Sequence, residues 1–143
     1  MPRPDPALLN PARYPFSCAI TPRFGDLDVN LHVNNVAMAG FLEDGRVRFH
    51  HASGYRSSLN DLSSMIASNA IEYLDEVHYP DAVDVHCAIE TLGRTSHTVI
   101  QLVTQHGRIA VFARAVMVGV GPQGPTPLPP AFVTNATEWM LRP

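Results

Sequence analysis

Between Ala82 and Leu92 apolar and polar residues alternate: Val83, Val85, Cys87 and Ile89 against Asp84, His86 and Glu90. A period of two is that of a strand with one face buried. Gly93-Arg94-Thr95 supplies a turn. Ser96–Gln105 and Arg108–Val120, on either side of His106-Gly107, then read as a hairpin. An earlier strand is expected over Met65–Val77, closed by Tyr79-Pro80-Asp81, and a weaker one over residues 16–24, where Pro22 marks an edge or an end. The period changes between Asn35 and Ala52. Met38, Leu42, Gly45 and Phe49 fall at helical spacing beside Phe41, with no proline, which predicts one long helix. Gly40 and Gly45 weaken it by roughly 1 kcal/mol each against alanine, unless they admit close approach to a sheet. A helical turn is expected around Ser57–Ser63, and Ala136–Leu141 reads as a short helix or strand.

One strand, one long helix and four strands joined by short turns predict an α+β fold, an antiparallel sheet with the helix across one face. The chain has 143 residues, enough for one domain with one core. Five prolines lie in residues 2–15 and five in 122–130, so both segments are expected to be extended or irregular arms. The expected organisation is an arm over 1–15, the folded domain over 16–132 and a tail over 133–143. Apolar residues make up 45% and charged residues 16%, which places the chain among globular proteins rather than disordered ones. With a formal charge of −3 and no basic run, nucleic-acid binding by bulk charge is not expected. The first fifteen residues lack the apolar core of a signal peptide, and no apolar run reaches membrane-spanning length. Cys18 and Cys87 suit a reducing cytoplasm, with no Cys-based metal site.

The chemistry concentrates in Gly25–Asn35, GDLDVNLHVNN. As a calcium loop starting at Asp26 it fails, because the sixth and twelfth positions hold Leu31 and Ala37 instead of glycine and glutamate. The GVGPQG of residues 119–124 satisfies G-x-G-x-x-G, yet TPLPP follows it where a dinucleotide-binding helix must begin. There is no G-x-S-x-G elbow and no P-loop lysine. Asn34 and Asn35 suit a helix cap, worth about 1 kcal/mol. A cap does not account for Asp28, Asn30 and His32. Together these bring a carboxylate able to act as base or nucleophile, an amide and an imidazole to a helix start. The free N–H groups there stabilise an oxyanion. The set suits hydrolysis of an acyl compound. A polar solvent loop is the alternative.

D-L-D-V-N-x-H-V-N-N before an apolar helix carrying Glu43 resembles the hot-dog-fold acyl thioesterases, of the 4-hydroxybenzoyl-CoA thioesterase class and the acyl-ACP type. IEYLDEVHYP (71–80), LGRTS (92–96) and IAVFARAVMVGV (109–120) are similar to that family's strands and turns. The resemblance implies a hot-dog fold, an antiparallel sheet wrapped around the helix at 35–52, assembled as a homodimer or homotetramer with sites at the subunit junction. It implies hydrolysis of an acyl-CoA or acyl-carrier-protein thioester in fatty acid metabolism, with no cofactor and no metal. Asp28 matches the catalytic aspartate, Asn30 and His32 the additional catalytic pair, and the N–H near Asn35 the oxyanion donor. Glu43 matches a helix acid of varying role; its alternative is an ion pair with Arg46 or Arg48. Met38 stands where a tyrosine is usual, lining the acyl pocket or the dimer seam, and Gly121 replaces a frequent aspartate. Arg94, in the turn before Ser96, is the candidate contact for a CoA phosphate. His50 and His51 are expected to end the helix, and His86 and His97 to be surface or half-buried strand residues. A noncatalytic acyl-CoA-binding module and a hydroxyacyl dehydratase are the rival readings.

Overall fold

Alternation in residues 83–92 becomes a strand whose Val83, Val85, Cys87 and Ile89 are fully buried under the long helix. The computed structural model describes residues 3–143. Its elements are β1 (Phe16–Ile20), α1 (Asn35–Ala52), α2 (Tyr55–Ser58), β2 (Ser63–Tyr73), β3 (Val83–Leu92), β4 (Ser96–Gln105), β5 (Arg108–Gly121), β6 (Gly124–Pro125) and α3 (Pro130–Asn135). The strands form one antiparallel sheet in the order β1-β3-β4-β5-β2, with β6 on the end of β5. The sheet wraps around α1, as the resemblance implied.

Several boundaries differ from expectation. β1 stops at Ile20, because Pro22 has no N–H for a ladder. Phe24–Asp26 instead form a single tight turn. β2 ends at Tyr73. Beyond it the N–H groups of Leu74 and Asp75 both go to the Ala110 carbonyl, and the chain leaves the sheet. The helical turn expected at Ser57–Ser63 forms at Tyr55–Ser58. The proline segments are more regular than expected. The Asp5 and Asn10 side chains cap two turns at Pro6–Leu8 and Pro11–Arg13. Pro130 opens α3, where a missing N–H costs nothing. The end of the chain is a 3₁₀ turn, Ala136–Trp139.

The sheet is covered on both sides. On the concave face α1 packs Met38, Phe41, Leu42 and Phe49 against β3, β4 and β5. On the other face Tyr14, Leu8 and Leu9 of the N-terminal arm cover Ala88, Ile100, Leu102 and Phe112. The arm is tied to the tail through Arg13 Nε, which donates to the Arg142 carbonyl at 2.6 Å. Being covered twice, β4 is buried without interruption from Val99 to Gln105, which is why its sequence does not alternate.

Gly45 sets the distance between α1 and β3. A Cβ there would lie 2.6 Å from Val85 Cγ1, whereas one on Gly40 would meet nothing within 4 Å. Beside Gly45 the buried Gln101 donates from Nε2 to the Leu42 carbonyl at 2.9 Å and accepts from Arg46 Nη1 at 3.2 Å. Gly45→Ala is therefore expected to destabilise by about 1–3 kcal/mol through overpacking. Gly40→Ala is expected to stabilise by up to about 1 kcal/mol through helix propensity. Urea unfolding of the two variants checks the opposite signs.

Two histidines expected near the surface or at a helix end are core residues. His50 and His97 are 7% and 1% exposed, and their Nε2 atoms lie 3.0 Å apart. One ring donates and the other accepts, so the pair is neutral. Burial, with His97 and Arg46 close by, pushes His50 down to about 3; burial alone pushes His97 down to about 4. The unfolded chain binds these protons near pH 6.5 and the folded chain does not until far lower. Stability is thus level above that pH and falls as pH drops through it, by up to about 1.4 kcal/mol per pH unit for each ring. Urea midpoints at pH 8, 7, 6 and 5 test this, and a stability level down to pH 5 would contradict a buried neutral pair.

Candidate active site

The loop before α1 is built from carboxylates satisfying backbone donors. Asp26, the first acid, is 6% exposed and structural. Its Oδ2 accepts the Arg23 N–H at 2.8 Å, and its carbonyl accepts the Asn34 N–H at 2.8 Å. Asp28, the second acid, folds the turn that follows. Its Oδ1 accepts the N–H of Asn30 at 2.8 Å and of His32 at 3.3 Å. The Asp28 N–H donates to the His32 carbonyl at 2.9 Å. The turn holds Leu31 at a left-handed φ of 61°, an expensive conformation for leucine. Asp28 Oδ2 takes no hydrogen bond from the described residues.

Asn34, not Asn35, is the cap of α1. Its Oδ1 accepts the Ala37 N–H at 2.7 Å, and its carbonyl accepts the Met38 N–H at 3.0 Å. The N–H groups of Asn35 and Val36 are left without an acceptor among the described residues, at the positive end of an 18-residue helix.

Asp28, His32, Asn35 and Met38 line one cavity of about 250 Å³, together with Val33, Tyr73, Asp75, Glu76, Val77 and Val111. Met38 is buried in the core and also borders this cavity. Tyr73 Oη donates to the Asn35 carbonyl at 3.2 Å. His32 Nε2 lies 3.2 Å from Glu76 Oε2. Asp75 is engaged elsewhere: its carboxylate accepts the Glu76 N–H at 2.8 Å and pairs with Arg108 at 2.9 Å, and both hold it below its ordinary range. Both cysteines are free, and burial pushes the Cys87 thiol up to about 12, so it supplies no thiolate.

Other sequence candidates lie apart. Asn30 is exposed and outside the cavity lining; its N–H, not its amide, meets Asp28. Glu43 is eight residues along α1 from Asn35, about 12 Å at ~1.5 Å per residue. It lines a second cavity of about 420 Å³, with Arg46, His50, Tyr55, Ser64 and Met117 among its neighbours. It forms no ion pair with Arg46 or Arg48, since Arg48 pairs with Asp44 at 2.9 Å and Arg46 meets Gln101. Arg94 and Ser96 sit at the β3–β4 turn. Ser96 pairs with Val118, seven residues along β5 from Val111 of the Asp28 cavity, roughly 23 Å at ~3.3 Å per residue. The first cavity's Tyr73 and Glu76 were not singled out in the sequence. The Glu76-x-His78 alternation ahead of Tyr79-Pro80 is the signal that could have marked Glu76.

Residues 22–136 match the model of the thioesterase-like superfamily. A Thermus thermophilus thioesterase, solved in complex with coenzyme A and zinc, is 30% identical; the match covers 92% of this chain and 98% of that one, with a TM-score of 0.79. A predicted thioesterase from Bacillus stearothermophilus is 27% identical over 90% and 98% of the two chains, with a TM-score of 0.78. A 1,4-dihydroxy-2-naphthoyl-CoA thioesterase from Synechocystis, at 14% identity over 85% and 95%, shares the fold with a TM-score of 0.75. No curated protein matches the sequence. The curled antiparallel sheet around a long helix is the hot-dog fold. The chain belongs to the thioesterase-like superfamily, and thioester hydrolysis is the general activity which that membership supports.

Proposed function

We propose that this protein hydrolyses an acyl-CoA thioester, with Asp28 as the reacting carboxylate. The observation that carries the reading is the asymmetry of Asp28. One oxygen is tied to two backbone N–H groups, and the other is uncommitted in a residue lining a cavity at the start of α1. A carboxylate held that way needs little reorganisation to react. As a base it takes a proton from water while the water oxygen bonds to the thioester carbon. As a nucleophile it bonds to that carbon itself, and water then cleaves the anhydride. By either route the C–S bond breaks, and the sulfur leaves as thiolate and is protonated. The N–H groups of Asn35 and Val36 are the donors for the carbonyl oxygen as it gains charge. His32 orients Asp28 or the water. Coenzyme A is favoured over a carrier protein because the related Thermus enzyme was solved with it. The net charge of −3, with no basic run to dock an acidic carrier, points the same way.

The working unit in this reading is a dimer. β2 is an 11-residue edge strand, paired with β5 on one side only, exposing Met65 (56%) and Ile66 (44%). A long apolar edge needs a cover. Antiparallel pairing of two β2 strands about a two-fold axis supplies one. It carries the Ser64 end of one copy to the Tyr73 end of the other. The Glu43 cavity of one protomer then adjoins the Asp28 cavity of its partner, so Glu43 acts across the junction.

Thiol release from a panel of acyl-CoAs tests the chemistry. Asp28→Ala is expected to lower kcat/KM by about 10²–10⁴-fold with folding retained; equal turnover in both proteins would overturn the role of Asp28. Sedimentation equilibrium at assay concentration is expected to return an even multiple of the chain mass. An active monomer would overturn the shared site.

A further inference from the structure

His32, Glu76 and His78 present two imidazoles and a carboxylate whose ligating atoms all lie within 4.8 Å of one another. Glu76 Oε2 stands between the rings, 3.2 Å from His32 Nε2 and 4.0 Å from His78 Nε2. The two rings meet edge to face with centroids 5.1 Å apart. In a tetrahedral site with metal–ligand bonds near 2.0–2.1 Å, neighbouring ligand atoms lie roughly 3.3 Å apart. One pair already stands at that spacing, and the exposed His78 ring needs a shift of about 1 Å to complete the set.

The backbones that carry these groups are cross-linked. Glu76 and His78 flank Val77 and are exposed while Val77 is buried, and their side chains meet on one side of the chain. The Val77 carbonyl accepts the Val33 N–H at 2.9 Å, which joins this segment to the His32 loop. Gln105 clamps His78 from both sides: its Oε1 accepts the His78 N–H and its Nε2 donates to the His78 carbonyl, each at 2.9 Å. His32 is fixed in turn by Asp28. The neighbouring Asp75 is occupied by Arg108 and is not a fourth ligand.

We propose that His32, Glu76 and His78 form a binding site for one divalent ion of the zinc class. Two imidazole nitrogens and one carboxylate oxygen select zinc, cobalt or nickel over calcium or magnesium, which prefer oxygen ligands. Three protein ligands leave a coordination position open. Two of the three ligands, His32 and Glu76, also line the Asp28 cavity. The assignment rests on these ligands alone and holds whether or not the protein hydrolyses thioesters.

Cobalt(II) is the probe, because a tetrahedral site gives it a strong visible absorption that octahedral hydrated cobalt lacks. The full chain is titrated with cobalt and then with zinc to displace it. Expected is a saturable one-to-one band in the wild type, lost in His78→Ala and in the near-isosteric Glu76→Gln. It is retained in His106→Ala, which removes an exposed histidine paired with Asp81 at 2.6 Å outside the cluster. Circular dichroism confirms that each variant is folded. No saturable band in the wild type, or an equal band in folded Glu76→Gln and His78→Ala, would overturn the site.

Discussion

The close approach of α1 to β3 at Gly45 is the constraint on which the site depends. With no Cβ in the way, the helix lies against Val85, and Gln101 reaches up from β4 to the Leu42 carbonyl. That contact holds the middle of α1. The loop then has to bring the chain from the end of β1 to the helix start, and it does so through Asp26, Asp28 and Asn34. Each of these side chains accepts a backbone N–H that would otherwise be unpaired. The helix is thus fixed by packing in its middle and by capping at its N-terminus, and Asn35, at the helix start, lines the same cavity as Asp28. The geometry of the candidate site is a consequence of how a helix is seated on a sheet.

The two acids of the D-x-D pair show how one residue type is given two environments by burial. Asp26 is enclosed, and its carboxylate is occupied by Arg23 on the near side of the turn. Asp28, two residues on, is half-buried, with one oxygen occupied. A similar division separates the histidines. His50 and His97 are sealed in the core as a neutral pair, while His32 lines a cavity beside the Glu76 carboxylate, with the exposed His78 ring packed against it.

Strands with one buried face were legible in the sequence because burial writes a period of two; β3 is the clearest case. The long helix was legible in the same way, to both ends. β4 lost its period by being covered twice, yet its flanking turns still marked it. What the sequence hid was tertiary. The N-terminal arm looks irregular because its prolines exclude ladders, but the sheet's second face needs it as cover. His97 sits on a strand beside polar residues, and only the fold reveals that α1 delivers His50 to it. Within the candidate site the loop motif identified Asp28 and His32. Glu76 carried only the faint signal of its alternation with His78, because its contact with His32 joins residues 44 positions apart through the Val33–Val77 bond. Glu43, Arg94 and Ser96 have no place at Asp28 within one protomer. Glu43 gains one only in the proposed pairing of two β2 edges.

The most direct test of the account is a structure of the protein with a non-hydrolysable acyl-CoA analogue that keeps the carbonyl but replaces the scissile sulfur linkage. The account predicts the carbonyl carbon about 3–3.5 Å from Asp28 Oδ2 or from a water held by it. It also predicts the carbonyl oxygen about 2.7–3.1 Å from the Asn35 or Val36 nitrogen. An analogue seated with its carbonyl away from the start of α1, in the Glu43 cavity of the same protomer or at the β3–β4 turn, would contradict it.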